Sequence, residues 1–178
     1  MLKHLLVICG LLVAGGVGFL MRGIVEPASR PEQLVTSMQI YGGVETVCLP
    51  GERLQLEAKL DTGADTSSLD ARDIQAFDRE GEPWVRFRIE GVRGGQAVSQ
   101  LLERPIERRV KVRSASGSDS RYVVRMRVMF GSQEYDEQFS LRDRRRMNYP
   151  VLIGSRTLKH LGAVDVNRMH TQMPRCQP

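Results

Sequence analysis

"LQLEAKLDTGADTSSL", Leu54 to Leu69, decides how this chain is read. Leu54, Leu56, Ala58 and Leu60 alternate with Gln55, Glu57 and Lys59, which makes a strand with one apolar and one polar face. The strand runs into Asp61, Thr62 and Gly63. Asp61 brings a carboxylate to the end of a sheet. Thr62 can hydrogen-bond sideways, and Gly63 lets the backbone turn back where a Cβ would clash. Such a triplet also suits an ordinary turn. A second stretch gives it a setting: "YPVLIGSRTLKHLG", Tyr149 to Gly162. Val151, Leu152 and Ile153 read as a short buried strand ended by Gly154, and a short helix follows.

Working outward, alternation recurs. Val85, Phe87 and Ile89 alternate with Arg86 and Arg88. Val110 and Val112 flank Lys111, and Val124, Met126, Val128 and Phe130 alternate with Arg125 and Arg127. "DREGEP", "GVRGG", "SASGSDS" and "FGSQ" punctuate the gaps. The pattern predicts an all-β domain of mostly antiparallel strands. Two short helices are expected, over Asp70–Phe77 and over Ser155–Leu161, the second closed by Gly162.

The chain has 178 residues, 41% of them hydrophobic and 26% charged, as in one soluble domain of ordinary size. Its start departs from that. Leu5 to Met21 is an uncharged apolar run between Lys3 and Arg22. At ~1.5 Å rise per residue this is the lower limit for a spanning helix. Residues 1–23 are therefore read as a signal anchor or a cleaved signal peptide. Residues 24–38 are read as a linker, 39–167 as the folded domain and 168–178 as a C-terminal tail. The expected location is the bacterial inner membrane with the domain in the periplasm, or the periplasm after cleavage. There Cys48 and Cys176 have two options, a disulfide or two free thiols. His4, His160 and His170 lie far apart and no Cys-x-x-Cys spacing exists, so no metal site is expected. No phosphate loop is present, and no cofactor is expected.

Net charge is +5, and four of the 26 basic residues are lysine, leaving 22 arginines. They concentrate in Arg104–Arg113 and in "RDRRR", Arg142–Arg146. Aromatic interleaving is thin, which argues against nucleic acid as a partner. A solvated basic face, an anionic substrate and an anionic lipid surface remain open.

"LDTGAD" followed some ninety residues later by "VLIGSRTLKHLG" resembles the retropepsins, the dimeric aspartic proteases of retroviruses. The fuller wording, "AKLDTGADTSSLDARDI", "WVRFRI", "RYVVRMRV" and "SLRDRRRMNYPVLIGSRTLKHLGAVDV", is more similar to a bacterial retropepsin-like aspartic protease family often labelled ATP-dependent zinc protease. The resemblance covers about Gln39 to Asn167. It implies a closed retropepsin-like barrel with one short C-terminal helix. Asp61 would be the catalytic acid, Thr62 would brace the matching loop of a second subunit, and Gly63 would shape the turn. Ala64 and Asp65 would contact substrate. Ile153 and Gly154 would form the strand behind the loop, supported by Arg156. Retropepsins usually carry Arg directly after that Gly, paired with the acid at the position of Asp65; here Ser155 intervenes.

The chemistry needs two carboxylates sharing a proton. One Asp-Thr-Gly per chain therefore implies a homodimer with one Asp61 from each subunit. A water-excluding lid is expected in "SASGSDS", Ser114–Ser120, around Gly117, with "VRGG", Val92–Gly95, as its rival; either also suits a plain hairpin turn. The family's association with glutamate-ligase-type genes implies a peptide or amide substrate that is glutamate-rich or otherwise anionic. The alternative is a catalytically inactive module serving a membrane or envelope system.

Overall fold

The computed structural model describes residues 38–114, 117–174 and 176. The expected anchor, and the linker as far as residue 37, lie outside the described residues. Among the described residues no helix is long and apolar enough to cross a membrane.

The chain folds as β1 (Ile40–Leu49), β2 (Leu54–Leu60), β3 (Ser67–Asp70), β4 (Arg72–Arg79), β5 (Glu82–Arg93), β6 (Gln96–Pro105), β7 (Arg108–Ser114), β8 (Gly117–Phe130), β9 (Gln133–Arg142), β10 (Val151–Ile153), α1 (Ser155–Leu161) and β11 (Ala163–Met169). Six strands close a ring. β1 pairs with β8, β8 with β9, β9 with β3, β3 with β10, β10 with β2, and β2 returns to β1. Closure removes the open edges that a sheet of this size would otherwise present. β4, β5 and β6 extend the sheet from β2, and β11 lies parallel to β1 on its outer side.

The alternation in the sequence maps onto the barrel interior. Leu54, Leu56, Ala58 and Leu60 are buried, as are Val85, Phe87 and Ile89, and Val124, Met126, Val128 and Phe130. Tyr41 and Phe130 meet edge to face at 5.9 Å, a favoured aromatic geometry. α1 spans the expected residues, with Thr157, Leu158 and Leu161 turned inward. Gly162 ends it at φ 145°, where a Cβ would lie 2.3 Å from the Gln39 carbonyl oxygen.

The helix expected over Asp70–Phe77 does not form. The Asp70 N–H donates to Pro150 O at 2.7 Å and the Ala71 N–H to Arg142 O at 2.9 Å, which ties the start of the segment to neighbouring strands. From Arg72 onward it pairs with β5, with an irregularity between Arg72 and Gln75. Asp73 sits there at φ 51°. An isolated helix of this length is marginal in water, whereas pairing with β5 supplies partners along one edge of the segment.

The stretch read as a tail is bound to the barrel. The His170 N–H donates to Val44 O at 2.8 Å. Glu45, fully buried on β1, accepts from the Gly42 N–H at 2.5 Å and from the Thr171 and Gln172 N–H groups at 3.1 Å each, and also from the Thr171 hydroxyl. A buried carboxylate is tolerable only with its lone pairs filled in this way. Burial pushes the Tyr41 phenol up, with Tyr135 and Glu45 adding to the effect.

Cys48 and Cys176, separated by 128 in sequence, form a disulfide with Cα atoms 5.6 Å apart. Closing a loop of that length removes about 5 kcal/mol of chain entropy from the unfolded state on the simplest model. Reduction is expected to lower stability by about 3–5 kcal/mol. Urea midpoints measured with and without a phosphine reductant check this, and coincident midpoints would contradict it.

Candidate active site

Asp61 is the first residue after β2, and its position is set by β10. β10 runs parallel to β2 with Ile153 opposite Leu60, so the Asp61 N–H donates to Ile153 O at 2.9 Å. The chain then turns. The Ala64 N–H donates to Asp61 O at 3.3 Å, and the Asp61 Oδ1 accepts the Gly63 N–H at 2.9 Å. The carboxylate is thereby aimed by its own loop. A Cβ at residue 63 would come within 3.3 Å of that oxygen. Asp61 is half-buried, while Thr62 and Gly63 are exposed at the surface of the single chain.

The far end of the loop is gripped by the residues that follow Ile153. Ala64 O accepts the Ser155 N–H at 2.7 Å, and Asp65 O accepts the Arg156 N–H at 3.2 Å. Gly154 lies so close to this backbone that a Cβ would meet Thr66 C at 2.7 Å and Asp65 C at 2.9 Å. Only glycine fits between a strand and a loop at that distance.

Asp65 and Arg156 pair despite the extra residue before Arg156. The Arg156 Nε donates to both Asp65 oxygens at 3.0 Å, and its Nη2 lies 3.0 Å from Oδ2. Arg156 stands in the first turn of α1, and its long side chain spans the added step. The Arg156 hydrogen bond holds the Asp65 carboxyl below its usual range. The pair is therefore complete above the ordinary Asp range and is lost as pH falls through the lowered value.

Beside the loop lies a cleft of about 550 Å³ whose lining includes Ala64, Asp65 and Thr66 on one side and Val110, Lys111, Val112 and Arg121 of the β7–β8 hairpin on the other. Gly117 opens β8 opposite Ser114, and the hairpin tip, residues 115 and 116, lies outside the described residues. The rival segment, Val92–Gly95, is a tight turn with Gly94 and Gly95 at φ 56° and 81°. It sits at the opposite end of β2, because Val92 pairs with Gln55.

The two basic clusters noted in the sequence supply four cations to this cleft, Arg108, Lys111, Arg142 and Arg144, and Arg121 of β8, which the sequence did not single out, joins them. The Arg144 guanidinium donates to Ser68 Oγ at 2.7 Å and to Tyr149 O at 3.1 Å. The Arg121 Nε donates to Asp119 at 2.7 Å. Arg108 donates from Nε to Gln138 at 3.0 Å, while its Nη2 is buried without a partner. Also missed was Glu137, whose signal is legible in retrospect. On β9 the phase Tyr135, Glu137, Phe139, Leu141 points inward, and an acid on the inward face needs partners. Among the described residues no group of three or more His, Cys, Asp or Glu side chains is placed to hold a metal ion.

Replacing Gly154 by Ala forces a methyl into backbone. We expect a loss of at least about 1–3 kcal/mol, the usual cost of overpacking, together with displacement of the Asp61 loop. Urea unfolding of Gly154→Ala checks it; an unchanged midpoint would show that the loop can retreat without cost.

Comparison with known proteins places this geometry. Residues 40–175 match the model of the RimB-like family, described as retropepsin-like aspartic endopeptidase RimB. A Shewanella pealeana protein named probable alpha-L-glutamate ligase is 32% identical over 111 residues, covering 62% of this chain and 24% of that protein. A Parasynechococcus marenigrum protein of the same name is 31% identical over 138 residues, covering 76% of this chain and 30% of its own length. The chain thus spans under a third of the curated relatives it matches. A crystal structure of a Legionella pneumophila protein of unknown function is 32% identical, with a TM-score of 0.63, covering 74% of this chain and 96% of that one. The match runs through the loop, strand and helix just described, and the chain belongs to the RimB-like family of retropepsin-like aspartic endopeptidases.

Proposed function

We propose that this chain is an aspartic peptidase that works as a homodimer in the bacterial envelope and hydrolyses peptide or amide bonds in glutamate-rich or otherwise anionic substrates. The observation that carries the reading is the Asp61 loop, fixed at both ends against β10 and α1, whose later residues Ala64, Asp65 and Thr66 line a cleft. One Asp-Thr-Gly per chain supports assembly from two subunits. In that assembly two Asp61 carboxylates share one proton across a two-fold axis, since like charges so close cannot both persist. The protonated partner donates to the scissile carbonyl while the carboxylate activates water. Thr62, exposed in the single chain, is available to brace the second loop.

The anionic substrate is supported by the cleft. Among the described residues five cations line it with one acid, Asp65, which Arg156 already engages, and of the five Arg121 also meets Asp119. Field lines in such a cleft attract carboxylates before contact. The relatives' names concern glutamate ligation, and for this chain they favour a glutamate-rich peptide. The envelope location is supported by the apolar run Leu5–Met21 and by the disulfide, which suits an oxidising compartment. The small share of the relatives that this domain occupies favours a second reading, an inactive accessory module, and the test separates the two.

Sedimentation of the full chain in mild detergent at micromolar concentration is expected to give a dimer; a strict monomer with full activity would overturn the two-subunit site. Asp61→Asn keeps the side-chain shape and is expected to leave fold and dimer intact. Hydrolysis of a synthetic oligoglutamate peptide, followed by mass spectrometry, should fall by ~10²–10⁴ or more, the scale of general acid–base catalysis. In a deletion strain, full complementation by Asp61→Asn at matched levels would replace the peptidase reading with the accessory one.

A further inference from the structure

A chain of hydrogen bonds runs from Gly154, just after β10, to a buried acid on β9. The Gly154 N–H donates to Ser67 Oγ at 3.0 Å. Ser67 Oγ and Thr157 Oγ1 are 2.9 Å apart, and the Thr157 hydroxyl donates to Glu137 Oε2 at 3.0 Å. Because Thr157 spends its one proton on the carboxylate, the Ser67 hydroxyl must donate to Thr157. The sense of the whole chain follows from the carboxylate at its end. His160 Nδ1 holds the other oxygen, Oε1, at 2.7 Å. Ser67, Thr157 and Glu137 are all buried.

The chain joins three elements, β3, α1 and β9, to Gly154, the residue between β10 and α1. Its members meet where the catalytic loop ends, since Ser67 is the first residue of β3 and the loop runs from Asp61 to Thr66. The start of the loop hangs on Ile153 O, and its end is joined to the next residue, Gly154, through Ser67. A polarised chain of this kind in a water-poor interior is stronger than its separate links.

We propose that Glu137, acting through Thr157 and Ser67, is a positioning residue that fixes the far end of the Asp61 loop against Gly154. The proposal rests on Asp61 being the catalytic acid. Glu137 touches no substrate; its task is to fill the last hydroxyl's donor demand, so that Ser67 and Gly154 keep one relative placement. Active sites need such support to hold reacting groups within a fraction of an ångström.

Two variants of Thr157 separate this role from simple packing. Thr157→Val keeps the shape and removes the hydroxyl, whereas Thr157→Ser keeps the hydroxyl and removes a methyl. Deuterium uptake by the full chain, read by mass spectrometry on peptides covering 61–67 and 151–156, needs no substrate. We expect exchange there to rise about tenfold for Thr157→Val, the equivalent of one lost buried hydrogen bond. Thr157→Ser should stay within about twofold of the wild type. Glu137→Leu, which removes the acceptor, should raise exchange in the same two peptides and leave the β4–β5 peptides unchanged. On the oligoglutamate peptide, Thr157→Val should lower kcat at constant KM, and Thr157→Ser should restore it. If Thr157→Val protects both peptides like the wild type, or Thr157→Ser fails as badly as Thr157→Val, the relay does not position the loop. An unchanged Glu137→Leu removes Glu137 from it. A wild-type chain that cleaves nothing would count against the peptidase reading alone, because the exchange measurement would still decide the relay.

Discussion

The approach of Gly154 to the Asp65–Thr66 backbone is the constraint around which the rest of this molecule is arranged. Three residues of β10 sit between β2 and β3, and the loop that leaves β2 at Asp61 must return into β3 at Ser67 on the other side of them. The loop therefore wraps the end of β10, and its two ends are held by consecutive residues, Ile153 and Gly154. A side chain at 154 would part the two backbones. Without the parallel register of β10 on β2, the Asp61 N–H would lose its acceptor, and a carboxylate on a loose loop is a poor acid or base.

Two buried acids perform related tasks at different places. Glu45 gathers the N–H groups of Gly42, Thr171 and Gln172, joining the last residues of the domain to the first strand. Glu137 gathers Thr157 and His160, joining α1 to β9. Burying a carboxylate costs more than burying a leucine of similar size, so neither acid is there for stability alone. What each supplies is one arrangement instead of several, because any shift leaves lone pairs unfilled. The disulfide between Cys48 and Cys176 reinforces the first of these junctions.

The arginine excess divides into two populations. On the β4–β5–β6 face, Arg79 and Arg86 both meet Glu103, and Arg79 stacks 4.1 Å from the Trp84 ring centroid. Arg72 meets Glu90, and Arg127 meets Glu134. Exposed pairs of this kind contribute little to stability. The cations of the cleft are different, because among its described lining residues Asp65 is the one acid, although Arg121 also meets Asp119. Their field bears on which substrates arrive and how they are oriented.

Much of the barrel was legible in the sequence because period-two alternation is local: Leu54–Leu60, Val85–Ile89 and Val124–Phe130 each announce a face. The Asp61 loop and α1 were legible for the same reason, being marked by short residue patterns. Tertiary structure decided the rest. Asp70–Phe77 carries a helix-compatible sequence, yet Asp70 closes β3 and the residues from Arg72 onward form a hairpin with the next strand, β5. The spacing of Arg156 left its pairing with Asp65 open, and the first turn of α1 closed it. Cys48 and Cys176 could have stayed apart, and the placement of the last residues beside β1 brought them together. Ser67 lies 90 residues before Thr157, Glu137 lies 20 before it, and the three carry no shared motif. Hydrogen bonds between side chains depend on where strands cross, and a sequence records which faces are apolar far more directly than it records which strands will meet.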